Sequence, residues 1–176
     1  MKKIFISALA GLLCLCMSCD NKAVTTADDS NKEQEQKNLA AADVVMKAFQ
    51  TGDANGIDSV IADDFIDHTE RGDMKGKDSL KAMVKFVHSS YPDMKFEKIR
   101  DVADGDYVYN WLTYSGTGDG TMGMPKGPYK FSGIELTKFQ NGKAVEHWGF
   151  MNMQDAAKMM SQAPAMNNMD TSKMKK

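Results

Sequence analysis

The sequence predicts an α+β fold in which helices pack on one face of a curved antiparallel sheet, and three observations predict it. Apolar residues recur at helical spacing up to Tyr91, and after Pro92 the period becomes two. Asn141-Gly142, set between two alternating segments, marks a two-residue hairpin, because both central residues of a type I′ turn take positive φ.

Each element follows in order. Leu39, Ala42, Val45, Met46 and Phe49 form one apolar stripe, and Gly52 stops that first helix. Ile57, Val60, Ile61 and Phe65 give a second, short helix opened by the turn at 53–56. A third runs from Asp78 to Tyr91, with Leu80, Met83, Val84 and Val87 on one face and Pro92 ending it. The strands expected are Phe96 to Val102, Tyr107 to Ser115, Tyr129 to Gln140 and Lys143 to Met153. Gln154 to Met160 closes the domain as a helical turn, and 161–176 reads as a disordered Met/Asn/Lys-rich tail. Residues 38–160 are enough for a single core. Tyr107, Tyr109 and Trp111 share one face of their strand, and Val108, Leu112 and Tyr114 share the other. With both faces apolar, the outer one needs a cover, from the chain itself or from a second copy.

The first 18 residues read as a lipoprotein signal peptide. Lys2 and Lys3 precede an apolar run, Ile4 to Met17, that falls short of the ~20 residues needed to span a bilayer. Cys16-Met17-Ser18-Cys19 resembles a lipobox, which implies lipidation at Cys19 and a protein at the cell envelope, anchored to a membrane and facing away from the cytoplasm. Ordinary secretory cleavage without a lipid is the alternative. All three cysteines, Cys14, Cys16 and Cys19, lie within this segment or directly after it, so the processed chain keeps only Cys19 and no disulfide framework is expected. Residues 19–37 are polar and read as a flexible tether. The formal charge of −2 excludes the basic face of a nucleic-acid binder.

Histidine and cysteine motifs for a metal are absent from the sequence, so no metal site is assigned. The pairs Met122/Met124, Met151/Met153 and Met166/Met169 have spacings that thioether ligands of Cu(I) can use, but methionine more often fills irregular cores. SGTGDGTMG lies between two strands with no helix N-terminus for an anion, and is read as a lip over a pocket.

The order FIDH (65–68), GKDSL (76–80), YPD (91–93), SGTGDG, FSGIEL (131–136) and NGKAVEHW (141–148) resembles the SnoaL-like polyketide cyclase branch of the nuclear-transport-factor-2-like superfamily. The resemblance implies a cone-shaped sheet around an interior pocket for a small molecule, dimerisation through the outer face, and acid–base chemistry without cofactor. It places the acid–base carboxylate at Glu135 and the pair Asp67 and His68 at the pocket rim.

A regular two-residue hairpin pairs Glu135 with Trp148, Thr137 with Glu146 and Gly133 with Phe150, and opposed side chains share a face. Glu135, Glu146, Trp148 and Phe150 are therefore expected together in the pocket, with Trp111 as a further binding residue, while His147 points away. Carboxylates sharing a closed site repel each other, which turns one of them into an acid or base useful near neutral pH. His88, near the C-terminal end of the third helix, reads as structural. Catalysis of cyclase or isomerase type and ligand binding without turnover are both open on these residues.

Overall fold

The computed structural model describes residues 22–120 and 124–162. The signal segment, Cys19, Met122 and the tail methionines Met166 and Met169 lie outside the described residues. The elements are α1 (Lys22–Thr51), α2 (Ile57–Val60), β1 (Ile61–Thr69), β2 (Gly72–Lys75), α3 (Lys77–Ser90), β3 (Lys95–Asp104), β4 (Tyr107–Asp119), β5 (Lys126–Gln140), β6 (Lys143–Met151) and α4 (Met153–Gln162). The strands form one sheet in the order β2-β1-β6-β5-β4-β3. All neighbours are antiparallel except β1 and β6, which run parallel. No described helix is long and apolar enough to cross a membrane.

The third helix, the four later strands and the closing helix form where their periodicity places them. Two expectations need correction. The first helix starts at Lys22 rather than near Leu39, so the part of the expected tether from 22 to 37 is helical. That stretch is polar but rich in Lys, Glu, Gln and Ala, all good helix formers. Glu33 and Lys37 add an i,i+4 ion pair of 2.7 Å. Its inner end is held by the β3–β4 turn, where Glu35 accepts from the Gly105 amide at 2.9 Å and Asn38 donates to the Gly105 carbonyl at 3.2 Å.

The second expected helix is the other correction. Only Ile57–Val60 is helical, and Ile61 and Phe65 belong to β1. Both side chains are buried four residues apart, a spacing that imitates a helix. The cause is that residues i and i+4 share a face in a strand as they do in a helix, so this spacing alone does not tell the two apart. The β1–β6 register also shifts between Ile61 and Ile66, and Asp63 and Asp64 between the two are exposed.

Helices α1 and α3 lie across the concave face of the sheet. Ala41, Ala42, Ala48, Ile57, Ile61, Phe65, Leu80, Val84, Val108 and Phe139 form one buried cluster, and Tyr91, Leu112, Tyr114 and Tyr129 form a second. Each large side chain in these clusters contributes about 1.5–3 kcal/mol by leaving water. At the far end, Asn152 Oδ1 accepts from the Gln154 and Asp155 amides to open α4, and Asp155 accepts from Ser132 on β5.

Candidate functional site

A cavity of about 340 Å³ opens where the two clusters meet, bounded by α1, α3 and the concave face of β1 and β3–β6. Its walls are mainly aliphatic and aromatic. Its polar side chains are Asp67, Tyr91, Asn110, Tyr114, Tyr129, Glu135, Thr137 and His147.

Strand pairing puts most of these in two adjacent rows. Asp101, Asn110, Glu135 and Gly149 lie opposite one another across β3, β4, β5 and β6. Val108, Thr137, His147 and Asp67 make the next row, across β4, β5, β6 and β1. His147 links the two, with Nδ1 2.8 Å from Asp67 Oδ1 and Nε2 2.8 Å from Glu135 Oε2. The Tyr114 hydroxyl donates to Glu135 Oε1. Four side chains thus form one hydrogen-bonded chain, Tyr114–Glu135–His147–Asp67. Asn110 Nδ2 donates to Asp101 Oδ1 at 3.0 Å, which fixes the amide beside Glu135.

Close packing sets the position of the carboxylate. A β-carbon at Gly149 would stand 3.0 Å from Glu135 Oε2, so the glycine gives Glu135 room to lie against β6. Tyr114 stacks on Phe131, with centroids 4.6 Å apart, and meets Phe96 edge-on at 5.1 Å.

The electrostatics follow from this geometry. Burial of His147 disfavours its charged form, but the hydrogen bonds to Asp67 and Glu135 and the charges of both carboxylates outweigh burial and raise its pKa to about 10. Some 26% of its side chain is accessible, and the residue lines the cavity. For Tyr114, burial and the neighbouring Glu135 charge both push the phenol well above its ordinary range. It is a neutral donor at any physiological pH. Burial, with a lesser effect from Asp93, raises Tyr129 to about 12.

The structure brings Glu135 and Asp67 together in the cavity and leaves His68, Glu146, Trp148, Phe150 and Trp111 on the convex face. A β-bulge is responsible. Phe139 pairs with Ala144, but Lys138 pairs with Glu146, so Val145 is an extra residue on β6. Glu135 therefore opposes Gly149 instead of Trp148, and every later side chain of β6 changes face. His147 turns inward, contrary to expectation, and Glu146, Trp148 and Phe150 turn outward.

On the convex side Phe150 is 55% exposed and Trp111 47% exposed. His68 leaves the pocket as well, because it alternates with Asp67 along β1. It stacks on Trp148 at 4.8 Å and contacts Asp73 at 2.9 Å and Glu146 at 3.3 Å. The hydrogen bond with Asp73 and, after it, the one with Glu146 raise the His68 pKa. Lys138 donates to Glu146 at 2.7 Å and, with His68, holds that carboxyl below its ordinary range. The repulsive pair expected at Glu135 and Glu146 does not form. Its place is taken by Glu135 and Asp67, with a shared histidine between them.

These polar cavity residues were not assigned to the site from sequence: Tyr91, Asn110, Tyr114, Tyr129, Thr137 and His147. Tyr114 and Asn110 had a signal, since both share the inner face of β4 with Leu112. His88, expected to be structural, packs its ring against Gly52, where any β-carbon would collide with it.

Residues 40–162 match the family model for SnoaL-like polyketide cyclases. No curated protein matches the chain. Among solved structures, a candidate SnoaL-like polyketide cyclase from Jannaschia sp. CCS1 aligns with a TM-score of 0.63 at 16% identity, over 74% of this chain and 95% of that one. IdmH, a candidate polyketide cyclase from Streptomyces antibioticus, aligns with a TM-score of 0.57 at 20% identity, over 70% and 98%. An LEH-like epoxide hydrolase from M. tuberculosis aligns with a TM-score of 0.59 at 14% identity, over 73% and 92%.

Proposed function

The chain belongs to the SnoaL-like polyketide cyclase family, and from that premise we propose that its cavity binds a small, largely apolar carbonyl compound on which Glu135 moves a proton. The observation that carries this reading is the Tyr114–Glu135–His147–Asp67 chain within a cavity whose other walls are mainly apolar.

In the proposed step, the Glu135 carboxylate takes a proton from the carbon beside the carbonyl, and the electron pair of the broken C–H bond passes to the carbonyl oxygen as an enolate. The new Glu135 carboxyl then returns the proton, to a different carbon in an isomerisation or to the new alkoxide oxygen after ring closure. His147 and Tyr114 hold Glu135 in place through both events. Acid–base catalysis of this kind contributes about 10²–10⁴ in rate.

The test uses 2-tetralone in D₂O, with deuterium uptake beside the ketone followed by NMR. The wild-type chain is expected to accelerate exchange, and Glu135→Gln to slow it about 100-fold while changing affinity less than about threefold. Wild-type exchange no faster than in buffer rejects the reading. One observation favours binding without turnover as a second reading: both His147 nitrogens and the Tyr114 hydroxyl are already engaged within the chain, so none is a ready donor to substrate oxygen.

The proposal also includes membrane attachment through lipidated Cys19, on the order of residues at the N-terminus alone, and pairing of two copies through the convex face. Support for the pairing comes from the exposed Tyr109, Trp111, Ile134 and Phe150 there.

A further inference from the structure

We infer that the natural ligand of this cavity is a hydrophobic cation, an apolar body carrying an amine whose ammonium group sits against Glu135 and Asp67. The inference rests on the cavity being the ligand site and adds the sign of the ligand's charge.

It follows from counting protons. The contacts of His147 with Asp67 and with Glu135, each 2.8 Å, need one proton apiece. If both protons are on the imidazole, a cationic ring lies between two carboxylates. If one is on a carboxyl, the ring is neutral and a single carboxylate is charged. Both arrangements leave the trio with one net negative charge. The Tyr114 hydroxyl donates to Glu135 without altering that balance.

Nothing else in the cavity offsets this charge. Among the described residues, none of those lining it is lysine or arginine. Lys98, the cation that contacts Asp101 at the end of the Asn110–Glu135 row, is held by Asp43 and by Asp101 at 2.6 Å. Asn110 spends an amide N–H on Asp101. An unbalanced charge in apolar surroundings is costly, and a partner of opposite sign removes most of that cost. A carboxylate or phosphate ligand would add a second negative charge. A neutral ligand would displace water and leave the first without a counterion.

The remaining walls suit a cation with an apolar body. Phe49, Tyr91, Phe96, Tyr129 and Phe131 line the cavity together with Tyr114, and ring faces attract ammonium groups.

Calorimetric titration of the full-length chain with three probes of one shape tests the inference: 2-aminotetralin, 2-tetralol and tetralin-2-carboxylate. The amine is expected to bind at least about tenfold more tightly than the alcohol, and the carboxylate more weakly than either. The preference should persist in about 0.5 M salt, because a buried pair is little screened, whereas diffuse attraction to an acidic surface would vanish. Glu135→Gln or, should that variant misfold by circular dichroism, Asp67→Asn is expected to reduce the amine preference below about threefold. The inference is overturned if the alcohol or the carboxylate binds as tightly as the amine, if none of the probes binds, if salt abolishes the preference, or if the folded variant keeps it. Exchange of 2-tetralone without amine preference defeats this inference alone. Amine binding without exchange defeats the proton-transfer reading and leaves the inference standing.

Discussion

His147 lies between two carboxylates, and that position makes one contribution to stability depend on pH. Its folded pKa of about 10 stands above the ordinary value of 6.5 expected in the unfolded chain. A group raised on folding stabilises fully below its unfolded pKa and loses that effect as pH climbs through the folded one. The His147 pairing therefore contributes fully below about pH 6.5, weakens above it and is spent by about pH 10. Urea unfolding of the wild type and of His147→Gln, compared at several pH values across that window, should show the stability gap shrinking as pH rises. A gap that stays constant would mean the ring is not charged in the fold. The same residue shows why the site was half legible in sequence. Glu135 and Asp67 could be named from motif order, but the residue that joins them faces inward only because of Val145.

At the scale of elements, two strands, β6 and β1, decided what the sequence could reveal. The bulge at Val145 reversed β6 beyond Ala144, and β1 read as a helix because its buried Ile61 and Phe65 stand four apart, a spacing that strands and helices share. Both lie beside the cavity, where the sheet must curve around its contents. Helix α1 departs in the other direction, extending through polar residues that carry no amphipathic signal. Its anchor is Asn38, fully buried, which accepts from Gln34 at 2.8 Å and donates to the Gly105 carbonyl. Asn38→Ala leaves that carbonyl unpaired and should cost about 1–3 kcal/mol in urea unfolding. Affinity for 2-tetralone should not change, since Asn38 does not line the cavity. A cost near zero would mean that the polar part of α1 does not hold the turn.

For the whole molecule, the open question is what covers the convex face. Rows of outward side chains run from Val102 through Tyr109 and Leu136 to Trp148, and from Trp111 through Ile134 to Phe150. Contiguous exposed apolar surface of this kind marks an interaction site. A second copy is the occupant proposed above. Light scattering after size exclusion is expected to report a dimer, and the double variant Trp111→Arg, Ile134→Arg a monomer of nearly unchanged melting temperature, as exposed substitutions cost little. A wild-type chain that stays monomeric across micromolar concentrations would reject the pairing.

The sequence by itself determined the α+β class, the third helix, the Asn141-Gly142 turn, the four later strands and two of the cavity carboxyl groups. The carboxyl groups were named through the family resemblance, and the rest follow from local chemistry: side-chain period, Pro and Gly stops, and a turn that requires positive φ, which Asn141 and Gly142 adopt at 52° and 77°. Only the tertiary structure decided which face each β6 residue takes, that β1 runs parallel to β6, and that His147 replaces Glu146 beside Glu135. Strand side chains alternate with a period of two, so one unpaired residue reverses all that follow, and no local pattern announces it.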